Sequence, residues 1–128
     1  MTPNQKIQLA LDYIEAYNHM NVAGMMAPLS EDITFLNISD GQVSMEIQGK
    51  EALQKQAKDT LALFTERQQS IRVIQFEETD LLVVQIDYEA TVAQDLPNGL
   101  KVGDKLKLEG LSRFSFQEGK ISKIEDVS

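Results

Sequence analysis

Apolar and polar positions alternate most regularly in residues 105–127. Leu106, Leu108, Gly110, Ser112, Phe114 and Phe116 share one parity, and Lys105, Lys107, Glu109, Leu111, Arg113 and Ser115 share the other. A period of two is that of a strand with one face turned inward. Glu118-Gly119 supplies a turn, and residues 120–127 run back with Ile121 and Ile124 apolar. A hairpin is therefore predicted, with a first strand that is long for a globular protein. Gly110 in its middle marks a bulge or bend. A long, bent sheet with one apolar face needs a cover.

The first half of the chain has the period to supply it. Thr2 can cap a helix, Pro3 suits its first position, and Gln5 stands where a capping-box partner belongs. Ile7, Ala10, Leu11, Ile14 and Tyr17 then recur at three- and four-residue steps, which predicts a helix over residues 3–19. A short second helix is predicted over 22–27, ended by Pro28. Residues 32–38 read as a strand apolar on both parities, as expected of one covered on both faces. Ser39-Asp40-Gly41 is a turn and 43–48 a short second strand. After Gly49 the spacing of Ala52, Leu53, Ala57, Leu61 and Phe64 predicts the longest helix, over 50–66. Strands follow at 69–78 and 81–93, and Pro97-Asn98-Gly99 turns the second into the long one. In 81–90, Leu82, Val84, Ile86 and Tyr88 oppose Val83, Gln85, Asp87 and Glu89, so the latter face is a solvated or dimer face. There is no repeat and no linker. The expectation is one domain over 1–128 of α+β class, with about six antiparallel strands in a curved sheet and three helices on one side.

Composition narrows the function classes. With 128 residues, 42% of them hydrophobic, the chain can bury a core without staples. It has no cysteine, which excludes disulfides and thiolate metal sites, and its one histidine, His19, excludes a multi-histidine site within the chain. A formal net charge of −8 argues against nucleic-acid partners. No run approaches the roughly 20 apolar residues of a membrane span. The polar N-terminus, with Asp12 and Glu15 in its helix, does not read as a signal peptide, so a cytoplasmic location is expected.

Four segments together carry a family resemblance over nearly the whole chain. They are Tyr13-Ile14-Glu15-Ala16-Tyr17-Asn18, Leu29-Ser30-Glu31-Asp32-Ile33-Thr34-Phe35, Gly49-Lys50-Glu51-Ala52-Leu53, and the stretch from Arg113 to Ile121. In this order they resemble the nuclear transport factor 2-like superfamily, of cystatin-like fold, which includes ketosteroid isomerases and SnoaL-like polyketide cyclases. The resemblance implies a cone with a deep pocket between sheet and helices, and often a homodimer through the sheet. It places Tyr13 at the isomerase tyrosine position, Asn37 at that of the carboxylate base and Ser112 at that of the second acid. An amide cannot abstract a proton near neutral pH, and a serine without a base is a weak acid. Steroid isomerase activity is not expected, and no catalytic residue is assigned.

What remains is Tyr13, Asn37 and Ser112 in an apolar hollow, with Tyr17, Met26, Phe35, Phe64 and Phe114 as its wall. A few polar groups in a hydrophobic cavity describe a site for a small, largely apolar ligand. The plainer alternative is a core tyrosine bonded to Asn37 and an ordinary core around it. Two other functions stay open: a dimerising module without catalysis, or an enzyme of isomerase, cyclase or dehydratase type. In the enzyme case a carboxylate would reach the pocket through a different strand register, since a slip of one residue exchanges the faces. No cofactor or metal is implied.

Overall fold

The computed structural model describes residues 1–128. Its elements are α1 (Pro3–Asn18), α2 (Val22–Met26), β1 (Leu29–Ser39), β2 (Gln42–Gln48), α3 (Lys50–Leu61), β3 (Phe64–Glu78), β4 (Leu81–Val92), β5 (Lys105–Gln117) and β6 (Lys120–Val127). Helix α1 begins as its sequence dictates. The Thr2 side chain accepts from the Gln5 amide, and the Gln5 side chain accepts from the Thr2 amide.

The six strands form one sheet in the order β2-β1-β6-β5-β4-β3. All neighbours are antiparallel except β1 and β6, which run parallel, so the sheet is mixed where a wholly antiparallel one was expected. The last strand joins the β1–β2 hairpin to the β3–β4–β5 meander. Its pairing with Leu29 explains why β1 starts earlier than its own residues suggest.

The helices cover the face that carries Leu82, Val84, Ile86, Phe114, Ile121 and Ile124, where these side chains form one cluster with Ala10, Tyr13, Ile14, Met25, Met26 and Leu53. On the opposite face Asp87 meets Arg72 at 3.3 Å and Glu89 meets Lys107 at 3.8 Å, as the parity of β4 predicted. Bulges interrupt the β1–β2, β3–β4 and β5–β6 pairings and bend the sheet. At Gly110 a Cβ atom would stand 2.5 Å from the Val127 carbonyl oxygen, so only glycine lets the end of β6 lie this close. Beyond this point β5 pairs with β4 alone, from Lys105 to Gly110.

Helix α3 ends at Leu61, five residues before the predicted end, and Phe64 opens β3 opposite Val92. The helical spacing of Leu61 and Phe64 loses to the β3–β4 ladder, which the Ala93 amide extends by donating to the Leu63 carbonyl.

Candidate functional site

A row of side chains crosses the sheet on its helix-covered face. The register aligns Asn37 with Asp126, Asp126 with Ser112, and Ser112 with the fully buried Val84. Ser112 Oγ donates to Asp126 Oδ1 at 2.6 Å. Burial raises the Asp126 carboxyl to about 6, and the Ser112 hydrogen bond offsets only part of that rise. Tyr13 comes down from α1 onto this row and packs edge-on against Phe114, with ring centroids 6.0 Å apart. Burial, then the Asp126 charge, push the Tyr13 hydroxyl well above the ordinary tyrosine range, and the Arg67 charge works the other way. The Tyr13 hydroxyl and Asp126 Oδ2 have no protein partner, yet neither is among the polar atoms sealed from solvent. Asp126 keeps some accessible surface although its carboxyl lies deep in the molecule.

One helical turn further along α1, Tyr17 meets a second polar group. Its hydroxyl donates to the Tyr88 hydroxyl at 3.1 Å. The Arg67 guanidinium lies over the Tyr17 ring, 3.7 Å from its centroid. Arg67 Nε donates to the Tyr17 carbonyl at 3.1 Å, and Nη2 contacts Met25 Sδ at 3.6 Å, a weak acceptor. Arg67 is only 5% exposed, and no carboxylate lies within salt-bridge distance of it. Burying an ion costs several kcal/mol, whereas a desolvated cation–π contact returns about 2 kcal/mol. Nη1 alone has no protein partner, and it is not among the polar atoms sealed from solvent. Burial raises the hydroxyls of Tyr17 and Tyr88, so both stay protonated near neutral pH. Gln69, two residues along β3 and paired with Tyr88, has a buried Oε1 with no partner.

The structure brings some expected site residues together and separates others. Tyr13, Ser112 and Phe114 gather at the Asp126 row, and Tyr17 lies next to them. Met26 is buried in α2 as part of the core, and Phe35 packs half-buried against the same cluster. Asn37 faces the row, but its Nδ2 donates to Ser44 Oγ at 2.8 Å, so it is not the partner of Tyr13. Phe64 stands outside the site, because the strand it opens places it beside Val92 at the far end of the sheet. Asp126 and Arg67 are the polar residues that sequence reasoning missed. Asp126 lies two positions after the inward Ile124, which is the signal that could have found it.

Two hollows lie away from Tyr13 and Asp126. One of about 140 Å³ is lined by Arg67 and Ala90 together with outward-facing residues of β3, β4 and β5, among them Glu66, Glu89, Lys105 and Lys107. The other, of about 410 Å³, flanks the start of α1 beside Met1, Pro3 and Phe76. There Lys6 Nζ, although its residue is buried, reaches Asp80 at 2.6 Å and the Thr79 carbonyl at 2.8 Å, which ties α1 to the β3–β4 turn. No cluster of three or more His, Cys, Asp or Glu side chains is placed to hold a metal ion. No helix is long and apolar enough to cross a membrane.

The chain belongs to the SnoaL-like domain family, whose model matches residues 10–124. Solved structures share its fold at low identity. AclR from Streptomyces galilaeus is 21% identical, with a TM-score of 0.77 over 98% of this chain and 90% of that one. A candidate polyketide cyclase from Xanthomonas campestris pv. campestris is 18% identical, with a TM-score of 0.80 over the same shares of the two chains. TerC, crystallised with polyporic acid, is 16% identical, with a TM-score of 0.75 over 95% of this chain and 89% of that one. Among curated proteins no sequence matches.

Proposed function

We propose that this SnoaL-like protein binds a small, largely apolar molecule between α1 and the sheet and moves a proton on it with Asp126. The observation that carries this reading is one deep carboxyl, raised to about 6, with a free oxygen, beside a tyrosine that stays protonated. A base is most effective when its pKa approaches the working pH. Asp126, ionised at pH 7, takes a proton from a carbon next to a carbonyl. The electron pair moves onto the carbonyl oxygen, which the Tyr13 hydroxyl stabilises by donating a hydrogen bond. The proton then returns from Asp126 to the same or a neighbouring carbon. Ser112 holds the carboxyl in place. That a fold neighbour was crystallised with polyporic acid is in keeping with a small organic ligand.

Washout of the α-protons of 2-tetralone in D2O, followed by NMR, tests this. The wild-type protein accelerates the exchange, Asp126→Asn abolishes the acceleration, and Tyr13→Phe lowers it about 100-fold. Acceleration that survives Asp126→Asn would refute the assignment.

We further infer a homodimer through the outer face of the sheet. Ile38, Val127, Leu111 and Val73 fall in one cross-strand row there, interrupted only by Gln85, and Val73 is 41% exposed. Light scattering should give twice the 14.4 kDa chain mass at micromolar concentration. A monomer that persists at high concentration would rule the dimer out.

A further inference from the structure

The Tyr17–Tyr88–Arg67 group has no part in the proton transfer just described. Its side chains nonetheless converge on the same face of the sheet as Asp126, one helical turn along α1. The chain carries 20 acidic and 12 basic residues, so Arg67 is not unpaired for want of carboxylates. The fold brings none to it. It fixes the guanidinium instead, by a hydrogen bond to the Tyr17 carbonyl, by the ring beneath it and by the Met25 sulfur, a weak acceptor, and leaves Nη1 uncommitted. Unlike a lysine or a carboxyl, arginine cannot relieve its burial by losing charge. Since Tyr17 donates to Tyr88, the Tyr88 O–H is also free to donate. The Nη1 end of a buried guanidinium and the hydroxyl of a half-buried tyrosine, each with a donor to spare, suit an acceptor with two oxygens.

We propose that Arg67 and Tyr88 dock a carboxylate of the ligand, so that this site takes aromatic carboxylic acids. The aromatic body follows from the rings on this face, Tyr17 against Tyr88 and Tyr13 against Phe114. The proposal rests on the reading that the interior holds a small molecule, and it adds direction to it. The carboxylate goes to the Arg67 end, and the carbon that loses a proton goes to the Asp126 end. The Tyr13 hydroxyl feels both charges, so both ends lie within electrostatic reach of it.

The test is calorimetric titration with 2-naphthoate and with its uncharged methyl ester at pH 7.5. A chain of net charge −8 repels anions in general, so a preference for the acid must come from a local cation. Wild-type protein should bind the acid about ten-fold more tightly than the ester, the worth of a charge-assisted pair. Arg67→Met should erase the preference while still binding the ester. Arg67→Lys should keep a reduced preference. Equal binding of acid and ester by the wild type overturns the docking point and leaves the ligand pocket standing. This arm needs no variant to fold. A preference that survives Arg67→Met overturns it as well. If neither probe binds the wild type up to its solubility limit, both the docking point and the ligand pocket fall.

Discussion

Asp126 and Arg67 are both charged groups carried deep into the protein without a counter-ion, and they relieve the strain of burial in different ways. Asp126 can become neutral. Its carboxyl rises to about 6, so a proton is available to it close to neutral pH. Arg67 keeps its charge at any accessible pH and can only be surrounded, here by the Tyr17 ring, a carbonyl and a sulfur atom. A buried acid of this kind is suited to transferring protons, whereas a buried guanidinium is suited to recognising an anion. The two lie on one face of one sheet, at tyrosines a single helical turn apart.

The most severe effect on this contrast is expected from the packing behind the Asp126 end. Phe114 is fully buried, pairs one row beyond Ser112 on the side away from Arg67, and packs against Tyr13, so Phe114→Ala should cost about 4 kcal/mol in chemical denaturation and loosen the Asp126 end first. Next comes the pH dependence of Asp126. Its folded-state pKa lies above the usual 3.8, so the folded protein holds this proton more tightly than the unfolded chain. The resulting stabilisation is complete below pH 4 and is lost as pH rises through 6. Asp126→Asn should therefore match the wild type below pH 4 and exceed it above pH 7. The difference should be on the order of 2 kcal/mol, less than the full shift implies because the residue keeps some solvent contact. A pH-independent difference between the two would contradict the contrast.

Arg67→Met should behave in the opposite manner, with a gain of about 1 kcal/mol that does not vary between pH 4 and 8, because an uncompensated ion is replaced by an apolar side chain. A loss of several kcal/mol would mean that the tyrosine ring and the carbonyl already satisfy the guanidinium. The smallest effect is expected outside the interior. Lys107 and Glu89 are exposed and 3.8 Å apart, and Lys107→Ala should change stability by less than about 0.5 kcal/mol.

Much of this arrangement can be read in the order of residues. The parity of β5 turns Ser112 and Phe114 inward, and the stripe on α1 does the same for Tyr17, with Tyr13 at its edge. Gly110 marks the bend where β6 crosses close by. Asp126 was hidden by a bulge. Phe116 pairs with Ile121 and Ser115 with Lys123, so Ser122 is an extra residue, and the two inward isoleucines stand three apart instead of two or four. That irregularity masks the parity of everything after it. Arg67 was hidden for another reason. The helical spacing through Phe64 is locally sound, and only the distant β4 strand converts the residues from Phe64 onward into a strand with alternate faces. Both omissions concern positions fixed by partners far away in the chain, which no local period can report. The parallel neighbour of β1 was missed on the same grounds.

The place of β6 between β1 and β5 also bears on how the molecule is made. Of the six strands it leaves the ribosome last, and until it arrives the hairpin and the meander have no backbone pairing with each other. Each would present a bare inner edge meanwhile, at Leu29–Ser39 and at the Leu111–Gln117 half of β5, which is the kind of surface chaperones shield. The carboxyl at position 126 enters with that same strand, so the chemistry becomes available only when the sheet is joined.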